Sequence, residues 1–235
     1  MNSKLKYQLA IVFICLNLCG FAQENTDDCD LLPMFTSESG IQVSLSIITE
    51  DEYLRLESHY PVPGPWKNIN SDSAEMKLIR RYPAIFVNNN NCYFFNSVKN
   101  KIIAICKDVP AKDHGDKTFQ DYKVVNISSK YVTIVSIGYE SEVYYIVDPE
   151  KNTIYTSHGR PDFSKDFRFA YSHANDYGDE RITIIDLVYQ RDVSLSFDNW
   201  YVESGYFIED NGYRLKLIHN DGQKTRYLNI QMPPP

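Results

Sequence analysis

The sequence lacks the short motifs of the common catalytic and nucleotide-binding sites. It has no GxSxG elbow, no HExxH pair, no P-loop and no GxGxxG fingerprint. It also has no CxxC pair, so a zinc or thioredoxin-like site has no support. The adjacent pairs Ser157-His158 and Ser172-His173 lie in predicted strands. Neighbours in a strand point to opposite faces, which argues against a Ser-His hydrolase.

Basic residues are scarce. The 235-residue chain has 24 Lys and Arg against 31 Asp and Glu, a net charge of −7. Without Lys4 and Lys6, which belong to a predicted signal peptide, 22 basic residues face 31 acidic ones, a net charge of −9. Such a surface repels a phosphate backbone, so no nucleic-acid partner is expected. It favours solubility and cationic partners.

Long apolar runs are absent after residue 22, so no transmembrane segment is expected in the mature chain. Residues 1–22 have a basic start, an apolar run over Leu9–Leu18 and a small-residue cleavage site that ends at Ala22. These features predict a secretory signal peptide and a mature chain that starts at Gln23, in the periplasm, outside the cell or at its surface. A membrane anchor and lipid attachment at Cys19 are the alternatives.

Few cysteines follow the signal, namely Cys29, Cys92 and Cys106. In an oxidising compartment an odd number predicts one bridge and one remaining thiol. A hairpin with a three-residue turn at 98–100 would place Cys92 directly opposite Cys106, close enough for a disulfide. A two-residue turn at 99–100 would place Cys92 opposite Lys107 instead, and Cys29 would then take part in the bridge.

Residues 23–81 have a mixed pattern. The segment GIQVSLSII, 40–48, predicts a strand. The segment TEDEYLRLESHY, 49–60, predicts a short helix, because Thr49 and Glu52 have the spacing of a capping box. PVPGPW, 61–66, predicts a loop. DSAEMKLIRRY, 72–82, fits either a helix or a strand.

From Tyr82 onward, short runs of β-branched and aromatic residues alternate with turn residues. This pattern predicts an all-β domain, and the 18 Tyr and 12 Phe fit strands better than helices. Runs such as VTIVSI and ITIIDLV are apolar on both faces, which predicts strands covered on both sides. The runs are PAIFV, CYFFNSV, KIIAIC, KVVNIS, YVTIVSIG, EVYYIVD, NTIYTS, FRFAYS, RITIIDLV, DVSLSF, GYFIE, YRLKLI and TRYLNI.

The runs also recur in groups of four. KVVNIS–YVTIVSIG–EVYYIVD–TIYTS aligns with PDFS–FRFAYS–RITIIDLV–DVSLSF and with WYVES–GYFIE–YRLKLI–TRYLNI. Asp148 and Asp186 fall in the same place, 38 residues apart, and Asp221 lies near the equivalent position 35 residues later. A period near 40 with four strands per unit is typical of propeller blades, whose neighbours cover both faces of each sheet.

The stretch RPDFSKDFRFAYSHANDYGDERITIIDL resembles the repeat of bacterial WD-like propellers of the TolB type, a resemblance that extends over residues 122–232. In that family a blade has Pro-x-aromatic-Ser-Pro-Asp-Gly-Lys, then a strand, then a second strand that ends in aspartate. Lys165 replaces the second proline and Phe167 the glycine, so the tight turn is not fully reproduced. The resemblance implies a blade but no particular function, because the fold hosts many. The matching residues are Pro161, Phe163, Ser164, Asp166, Ala170 and Asp186.

The predicted fold is therefore all-β, a small propeller-like array of four-stranded antiparallel blades, with a β-sandwich as the alternative. The predicted divisions are a signal peptide over 1–22, a mixed N-terminal segment over 23–81 and the β domain over 82–232. Three repeat units and a partial one over 82–121 are near the smallest number of blades that closes a ring.

Acidic residues concentrate in connections that a propeller would place on one rim, namely 108–121, 138–141, 173–180 and 209–212. A rim of one sign attracts cations, so we predict that it binds either calcium or a basic patch on a partner protein. A merely solvated surface is the alternative. The rim residues are Asp113, His114, Asp116, Glu140, Asp176, Asp179, Glu180, Glu209 and Asp210.

Two of these loops could also hold a cation by themselves. KDHGDK, 112–117, brings two aspartates and a histidine together, and NDYGDE, 175–180, contains Asp176, Asp179 and Glu180. Oxygen and imidazole ligands at this spacing suit a metal ion, although both segments are also ordinary turn sequences. No other cofactor is predicted.

The sequence predicts a secreted, non-catalytic binding or scaffolding protein whose partner is another protein or a component of the cell envelope. Two alternatives from other classes stay open. One is an envelope hydrolase that uses loop carboxylates, which can work in pairs as acid and base. The other is an inhibitor or immunity protein against a basic secreted enzyme, which would fit the acidity of the chain.

Overall fold

The computed structural model describes residues 33–35, 41, 43–57, 71–89, 91–97, 101–107, 109–110, 119–138, 142–176, 179–208 and 211–233. In these residues the chain is mostly β-strand, with several antiparallel sheets, so the all-β prediction is confirmed. No helix in this part of the chain is long and apolar enough to cross a membrane. The elements are β1 (Pro33–Phe35), β2 (Ser44–Ile48), α1 (Glu50–Glu57), α2 (Ser71–Arg81), β3 (Cys92–Ser97), β4 (Ile102–Cys106), β5 (Val109–Pro110), β6 (Phe119–Ile127), β7 (Val132–Ile137), β8 (Glu142–Asp148), β9 (Thr153–Ser157), β10 (Asp162–Phe163), β11 (Phe169–Asp176), β12 (Asp179–Asp186), β13 (Arg191–Phe197), β14 (Trp200–Ile208), β15 (Gly212–His219) and β16 (Thr225–Gln231).

The chain divides into two compact units. The split unit comprises residues 1–63 and 162–235, and the central unit comprises residues 64–161. This division cuts both the mixed N-terminal segment and the β domain that the sequence pattern suggests. The boundaries after residues 22 and 81 stay predictions.

The central unit is built on the antiparallel strands β6, β7, β8 and β9, in that order, with β5 added beside β6. The β3–β4 hairpin joins the opposite edge through a short parallel pairing of β3 with β9. Helix α2 packs against β6 and buries Ala74 and Leu78, one turn apart on the same face. The core of this unit is formed by Ala74, Leu78, Phe86, Tyr93, Phe95, Ile105, Tyr122, Val124, Val132, Ile134, Val147 and Ile154.

The split unit contains two antiparallel sheets, in the orders β1-β13-β12-β11-β10 and β14-β15-β16-β2. Apolar side chains from both sheets form one core. At its centre the rings of Tyr171 and Tyr213 stack with their centroids 3.6 Å apart. Strand β2, from near the start of the chain, therefore completes a sheet whose other strands come from its end.

The N-terminal elements agree with their sequence signals. β2 lies within the predicted strand 40–48, and α1 lies within the predicted helix 49–60. The capping box is formed, since the Thr49 N–H donates to Glu52 Oε2 at 2.9 Å and the Glu52 N–H donates to Thr49 Oγ1 at 3.2 Å. The segment with two interpretations, 72–82, is helix α2. The predicted loop 61–66 lies outside the described residues.

The third repeat differs from the sequence prediction. WYVES and GYFIE form one continuous strand, β14, whose pairing with β15 shifts register between Val202 and Ser204. A bulge of this kind bends a strand without a turn, so no separate first strand is made. The fourth strand of this sheet is β2 instead.

Asp148 and Asp186 occupy equivalent positions, as the repeat predicts. Each is the last residue of its strand, and its Oδ1 accepts hydrogen bonds of 3.0–3.1 Å from the backbone N–H groups two and three residues later. The last turn residue, Asn152 or Gln190, has a left-handed φ of 49° or 56° respectively. The two hairpins therefore share one turn geometry.

Strand β15 ends at His219, so Asp221 lies in the following turn, near the position equivalent to Asp148 and Asp186 but not at the end of the strand. One detail of the sequence pattern was wrong. The run PAIFV, 83–87, forms no strand, because the chain continues from α2 in turns, in which the Phe86 N–H donates to the carbonyl of Tyr82. Its apolar Phe86 serves the core instead.

The tight turn of the family repeat forms although Lys165 and Phe167 replace its second proline and its glycine. The Phe169 N–H donates to Ser164 Oγ and the Arg168 N–H donates to Asp166 Oδ1, both at 2.9 Å. Phe167 takes a left-handed φ of 60°, the conformation that glycine adopts without strain. The strain costs about 1–2 kcal/mol, and contact of the Phe167 ring with Phe163, at 5.8 Å between centroids, helps to offset it.

Candidate functional site

Most of the predicted acidic rim lies outside the described residues. Asp176 and Asp179 are described by their backbones, which pair with each other at the ends of β11 and β12. The connection is therefore 177–178 rather than 173–180. Whether the rim binds calcium or a basic partner stays a prediction. The rim residues outside the description are Asp113, His114, Asp116, Glu140, Glu209 and Asp210.

Glu180 is placed differently from the rest of the predicted rim. Its side chain is buried, with 6% of the residue surface exposed. Burial, with a further contribution from the Glu180 carboxylate, raises the pKa of the Tyr171 phenol. Glu180 therefore does not face solvent as a rim residue would. Within the described ranges, no three His, Cys, Asp or Glu side chains are grouped to hold a metal ion.

The two Ser-His pairs are separated by the pleat of the strands. Ser157 and Ser172 are buried, whereas His158 and His173 are exposed. The Ser157 hydroxyl donates to the carbonyl of Gly159 at 2.8 Å. Neither serine therefore shares a face with the histidine that follows it.

The predicted disulfide is present on the β3–β4 hairpin. Cys92 and Cys106 are directly opposed and bonded, with a Cα–Cα distance of 4.0 Å. The register, in which Asn96 lies opposite Ile102, is the one that a three-residue turn at 98–100 gives. The prediction of a Cys92–Cys106 bridge is confirmed, while Cys29 and the turn itself lie outside the described residues.

We expect the double substitution Cys92→Ser/Cys106→Ser to lower the free energy of unfolding by about 3 kcal/mol, because the bridge closes a loop of moderate length. Urea unfolding of the oxidised protein and of the variant measures this difference. Cys29→Ser is the matched control and should leave the midpoint unchanged. A bridge that contains Cys29, found by peptide mapping without reduction, would contradict the assignment.

The hairpin has one buried and one exposed face. Tyr93, Phe95 and Ile105 point into the core and are each 1% exposed. The residues of opposite parity form what we call the outer face, and they include Phe94, 48% exposed, and Ile102, 73% exposed. Phe94 and Ile102 lie diagonally opposite each other across the two strands, and contiguous exposed apolar surface is typical of interaction sites. The outer face consists of the exposed residues Phe94, Asn96, Ile102 and Ala104, with the buried Cys92 and the half-buried Cys106 at one end.

A polar cluster anchors the hairpin to helix α2. The hydroxyls of Tyr93 and Tyr122 both donate to Glu75 Oε1 at 2.5 Å, and Lys107 Nζ lies 3.0 Å from Glu75 Oε2. Lys107 Nζ also lies 4.6 Å from the centroid of the Tyr122 ring. The cluster thus ties α2, β3, β6 and the residue after β4 together.

The electrostatics of this cluster suit anchoring rather than proton transfer. Burial by itself would raise the pKa of the Glu75 carboxyl, but hydrogen bonds from Tyr122, Tyr93 and Lys107 outweigh it and hold the pKa below its usual value. The pKa values of Tyr93 and Tyr122 are both raised, mainly by burial and to a smaller extent by the hydrogen bond to Glu75. At neutral pH the carboxylate is ionised and both phenols stay protonated, so none of the three is poised near pH 7 as a general acid or base.

A pH-dependent contribution to stability follows from the lowered pKa of Glu75. Its stabilising effect is complete above the unfolded-state value of 4.5 and is lost as the pH falls through the lower folded-state pKa. Relative to wild type, Glu75→Gln should therefore be destabilised by about 2 kcal/mol at neutral pH, with a difference that shrinks in acid. Urea unfolding of both proteins across the acidic range measures this. A difference that grows on acidification would contradict the assignment.

The free edge of the hairpin is strand β4. It lies at the end of the seven-stranded order β4-β3-β9-β8-β7-β6-β5. Cys92 and Cys106 form a non-hydrogen-bonded pair, judged by their 4.0 Å Cα separation. By alternation the N–H and C=O groups of Ile102 and Ala104 also point away from β3. No described strand pairs with β4 on that side.

The charge of the hairpin is opposite to that of the chain. Residues 92–107 contain Lys99, Lys101 and Lys107 and no acidic residue, whereas the whole chain has a net charge of −7. The charge of Lys107 is paired with Glu75, so the features that coincide on the hairpin are its apolar face and its outward-pointing backbone groups.

No protein-family model matches the chain, and no curated protein matches it either.

Sequence reasoning found the bridge of this site but not its outer face. The cysteine spacing fixes which residues share a face, since Phe94, Ile102 and Ala104 have the parity of the two cysteines. That signal could have identified the outer face, but not its exposure, because both faces of CYFFNS and IIAIC are apolar. Glu75 has no signal in the sequence, since its partners Tyr93, Lys107 and Tyr122 are distant along the chain.

Proposed function

We propose that the protein is a secreted, non-catalytic binding protein that presents the outer face of the β3–β4 hairpin to another protein in the periplasm or at the cell surface. The observation that carries the proposal is the exposure of Phe94 and Ile102 on a hairpin whose other face is fixed in the core. A rigid strand pair with exposed apolar groups is suited to binding. The disulfide supports an oxidising compartment.

The frame of this binding protein is proposed to be propeller-like. Two runs of four consecutive antiparallel strands, β6–β9 and β10–β13, support this because they share the Asp148 and Asp186 turn geometry. The resemblance of residues 122–232 to the TolB-type repeat supports it as well. Such frames carry function in the segments that their strands hold rigidly.

Capture of a partner from an envelope extract tests the proposed function. The mature, oxidised chain serves as bait, and Phe94→Ser/Ile102→Ser is the test variant. Val188→Ser/Tyr189→Ser is the matched control, because these residues are also large, apolar and exposed, at 50% and 56%, but belong to the split unit. The wild type and the control should capture the same partner in stoichiometric amounts, and the test variant should lose it. Hydrolysis in a broad substrate panel, or loss of the partner only from the control, would contradict the proposal.

A further inference from the structure

Helices α1 and α2 carry opposite charges on their exposed sides, and each has a large apolar side chain among those charges. We infer that α2 of one copy of this chain docks on α1 of a second copy, so that the protein associates with itself. The inference goes beyond the proposed function, because neither helix belongs to the outer face of the β3–β4 hairpin.

The charges of the chain are divided between its two compact units. The central unit, residues 64–161, has 13 basic and 10 acidic residues, a net charge of +3. The rest of the predicted mature chain, residues 23–63 and 162–235, has 9 basic and 21 acidic residues, a net charge of −12. The central unit of one copy therefore attracts the split unit of another, although the chain as a whole is acidic.

Helix α2 supplies the positive surface. Lys77, Arg80 and Arg81 are exposed, and within the described ranges none of them forms an ion pair with an acidic side chain. Of the two acids of this helix, Asp72 lies in the first turn and Glu75 is held in the polar cluster described above. The negative end of the helix dipole favours the arginines in the last turn. Lys77 lies before that turn and one turn from Arg81, where like charges repel, so an acidic neighbour would stabilise this surface.

An exposed apolar side chain lies among these cations. Met76 is 50% exposed and lies one turn before Arg80, on the same side of the helix. The opposite side of α2 is fixed, since Ala74 and Leu78 are buried in the core. Helix α2 thus presents an apolar residue bordered by positive charge on a rigid support, and an apolar centre with a polar rim is typical of a protein interface.

Helix α1 has the complementary surface. Glu50 and Asp51 are exposed acids in its first turn. Leu54, 49% exposed, follows them by three to four residues and so lies on the same side. The helix is held in place by Tyr53, which is 1% exposed and whose carbonyl accepts a hydrogen bond of 2.6 Å from the Tyr206 hydroxyl. Helix dipoles explain the acids in the first turn but not the exposure of Leu54.

The other two charged side chains described in α1 offset each other. Hydrogen bonds from Thr49 lower the pKa of Glu52, so its carboxylate is ionised at neutral pH, and it lies close enough to Arg55 to interact with that charge. Arg55 is the single basic residue of α1. The exposed side that contains Leu54 therefore keeps the negative charge of Glu50 and Asp51.

Charge complementarity favours a second copy over an anionic membrane, which would repel a chain with a net charge of −9. In the docked pair the acids of α1 would face Lys77 and Arg80, and Leu54 would pack against Met76. Helices of 8 and 11 residues offer less surface than a stable dimer buries. The association should therefore be weak and reversible, and weaker still at high salt.

Sedimentation velocity of the oxidised mature chain at low salt tests the inference. The wild type should associate as its concentration rises and dissociate when salt is added. Lys77→Glu/Arg80→Glu, which reverses the charge of α2, should weaken self-association at least about tenfold. Glu50→Lys/Asp51→Lys, which reverses the charge of α1, should do the same. An equimolar mixture of the two variants should restore association, because the helices of one variant are then complementary to those of the other.

Lys123→Glu/Lys130→Glu is the matched control, because it changes the net charge equally at exposed positions of the central unit outside α2. This control and Phe94→Ser/Ile102→Ser should both associate as the wild type does. A wild type that stays monomeric at low salt would overturn the inference, and so would an equal loss in the control. A mixture that stays monomeric although circular dichroism shows both variants folded would also overturn it. Loss of association in Phe94→Ser/Ile102→Ser alone would assign the contact to the outer face instead.

Other occupants of α2 would give different results, each of which overturns the inference. If the wild type is monomeric and binds vesicles of equal parts phosphatidylglycerol and phosphatidylcholine, and Lys77→Glu/Arg80→Glu does not, α2 binds a membrane. If a monomeric wild type captures an acidic protein from the envelope extract and the same variant loses it, α2 binds a different protein. Self-association that requires both charged helices supports the inference.

Discussion

Replacing Asp186 by Asn should lower the free energy of unfolding by about 3–5 kcal/mol, the usual cost of breaking a buried ion pair. Asp186 is fully buried, and its Oδ2 lies 3.4 Å from Arg168 Nη2 and 3.1 Å from Arg191 Nη2. The Arg168 side chain is itself only 7% exposed. Asn can still accept the turn hydrogen bonds through its oxygen, so the loss isolates the charge. The Arg168 guanidinium would then be left buried without its counter-charge.

Asp148→Asn is the matched control, because Asp148 makes the same turn contacts at the equivalent position. Its ionic partner Lys151 is 45% exposed and lies 3.6 Å away. Water can therefore solvate the lysine, and the substitution should cost about 1 kcal/mol or less. Urea unfolding followed by circular dichroism compares the two variants with wild type. Equal losses in the two variants would show that the turn, and not the buried charge, sets the effect.

Replacing Gly205 by Ala should also be strongly destabilising, by about 3 kcal/mol, a value at the upper end for overpacked sites. A Cβ on this residue would lie 2.5 Å from Tyr213 Cε1 and 2.9 Å from the carbonyl oxygen of Arg214. The carbonyl belongs to the neighbouring strand β15 and cannot move aside. Tyr213 is stacked on Tyr171 in the core, so its ring has little freedom.

Gly212→Ala provides the control for that substitution. Its added Cβ would meet the Ile208 carbonyl oxygen at 3.1 Å and no side-chain atom closer than 3.5 Å. Thermal melting should therefore place the Gly205→Ala midpoint well below that of Gly212→Ala, by roughly 2–4 °C for each kcal/mol of difference. Coincident midpoints would contradict the close approach of Gly205 to Tyr213 and to the carbonyl of Arg214.

The parts of the fold that could be predicted from the sequence depend on local signals. The capping box of Thr49 and Glu52 fixes the start of α1 through contacts three residues apart. The turns at Asp148 and Asp186 are likewise made by a carboxylate and the N–H groups just beyond it. The hairpin register follows from the spacing of Cys92 and Cys106, because one geometry of the turn opposes them.

The parts that could not be predicted depend on distant partners. The sequence of α2 fits both a helix and a strand. In the structure the segment is helical, which places Leu78 in the core and Glu75 next to Tyr122. The last sheet takes its fourth strand from β2, a pairing of residues at opposite ends of the chain that no local pattern encodes. The burial of Glu180, which the sequence places in a polar stretch, is likewise set by tertiary packing.

The most direct test of the central claim is amide hydrogen exchange along β4, measured in the free protein and in its complex. If β4 is an open edge, the protection of its amides from exchange should alternate from one residue to the next. The amides of Ile103 and Ile105, which face β3, should be protected in both states, and those of Ile102 and Ala104 should exchange rapidly until a partner binds. Protection of Ile102 and Ala104 in the free protein, or rapid exchange that persists in the complex, would contradict the account.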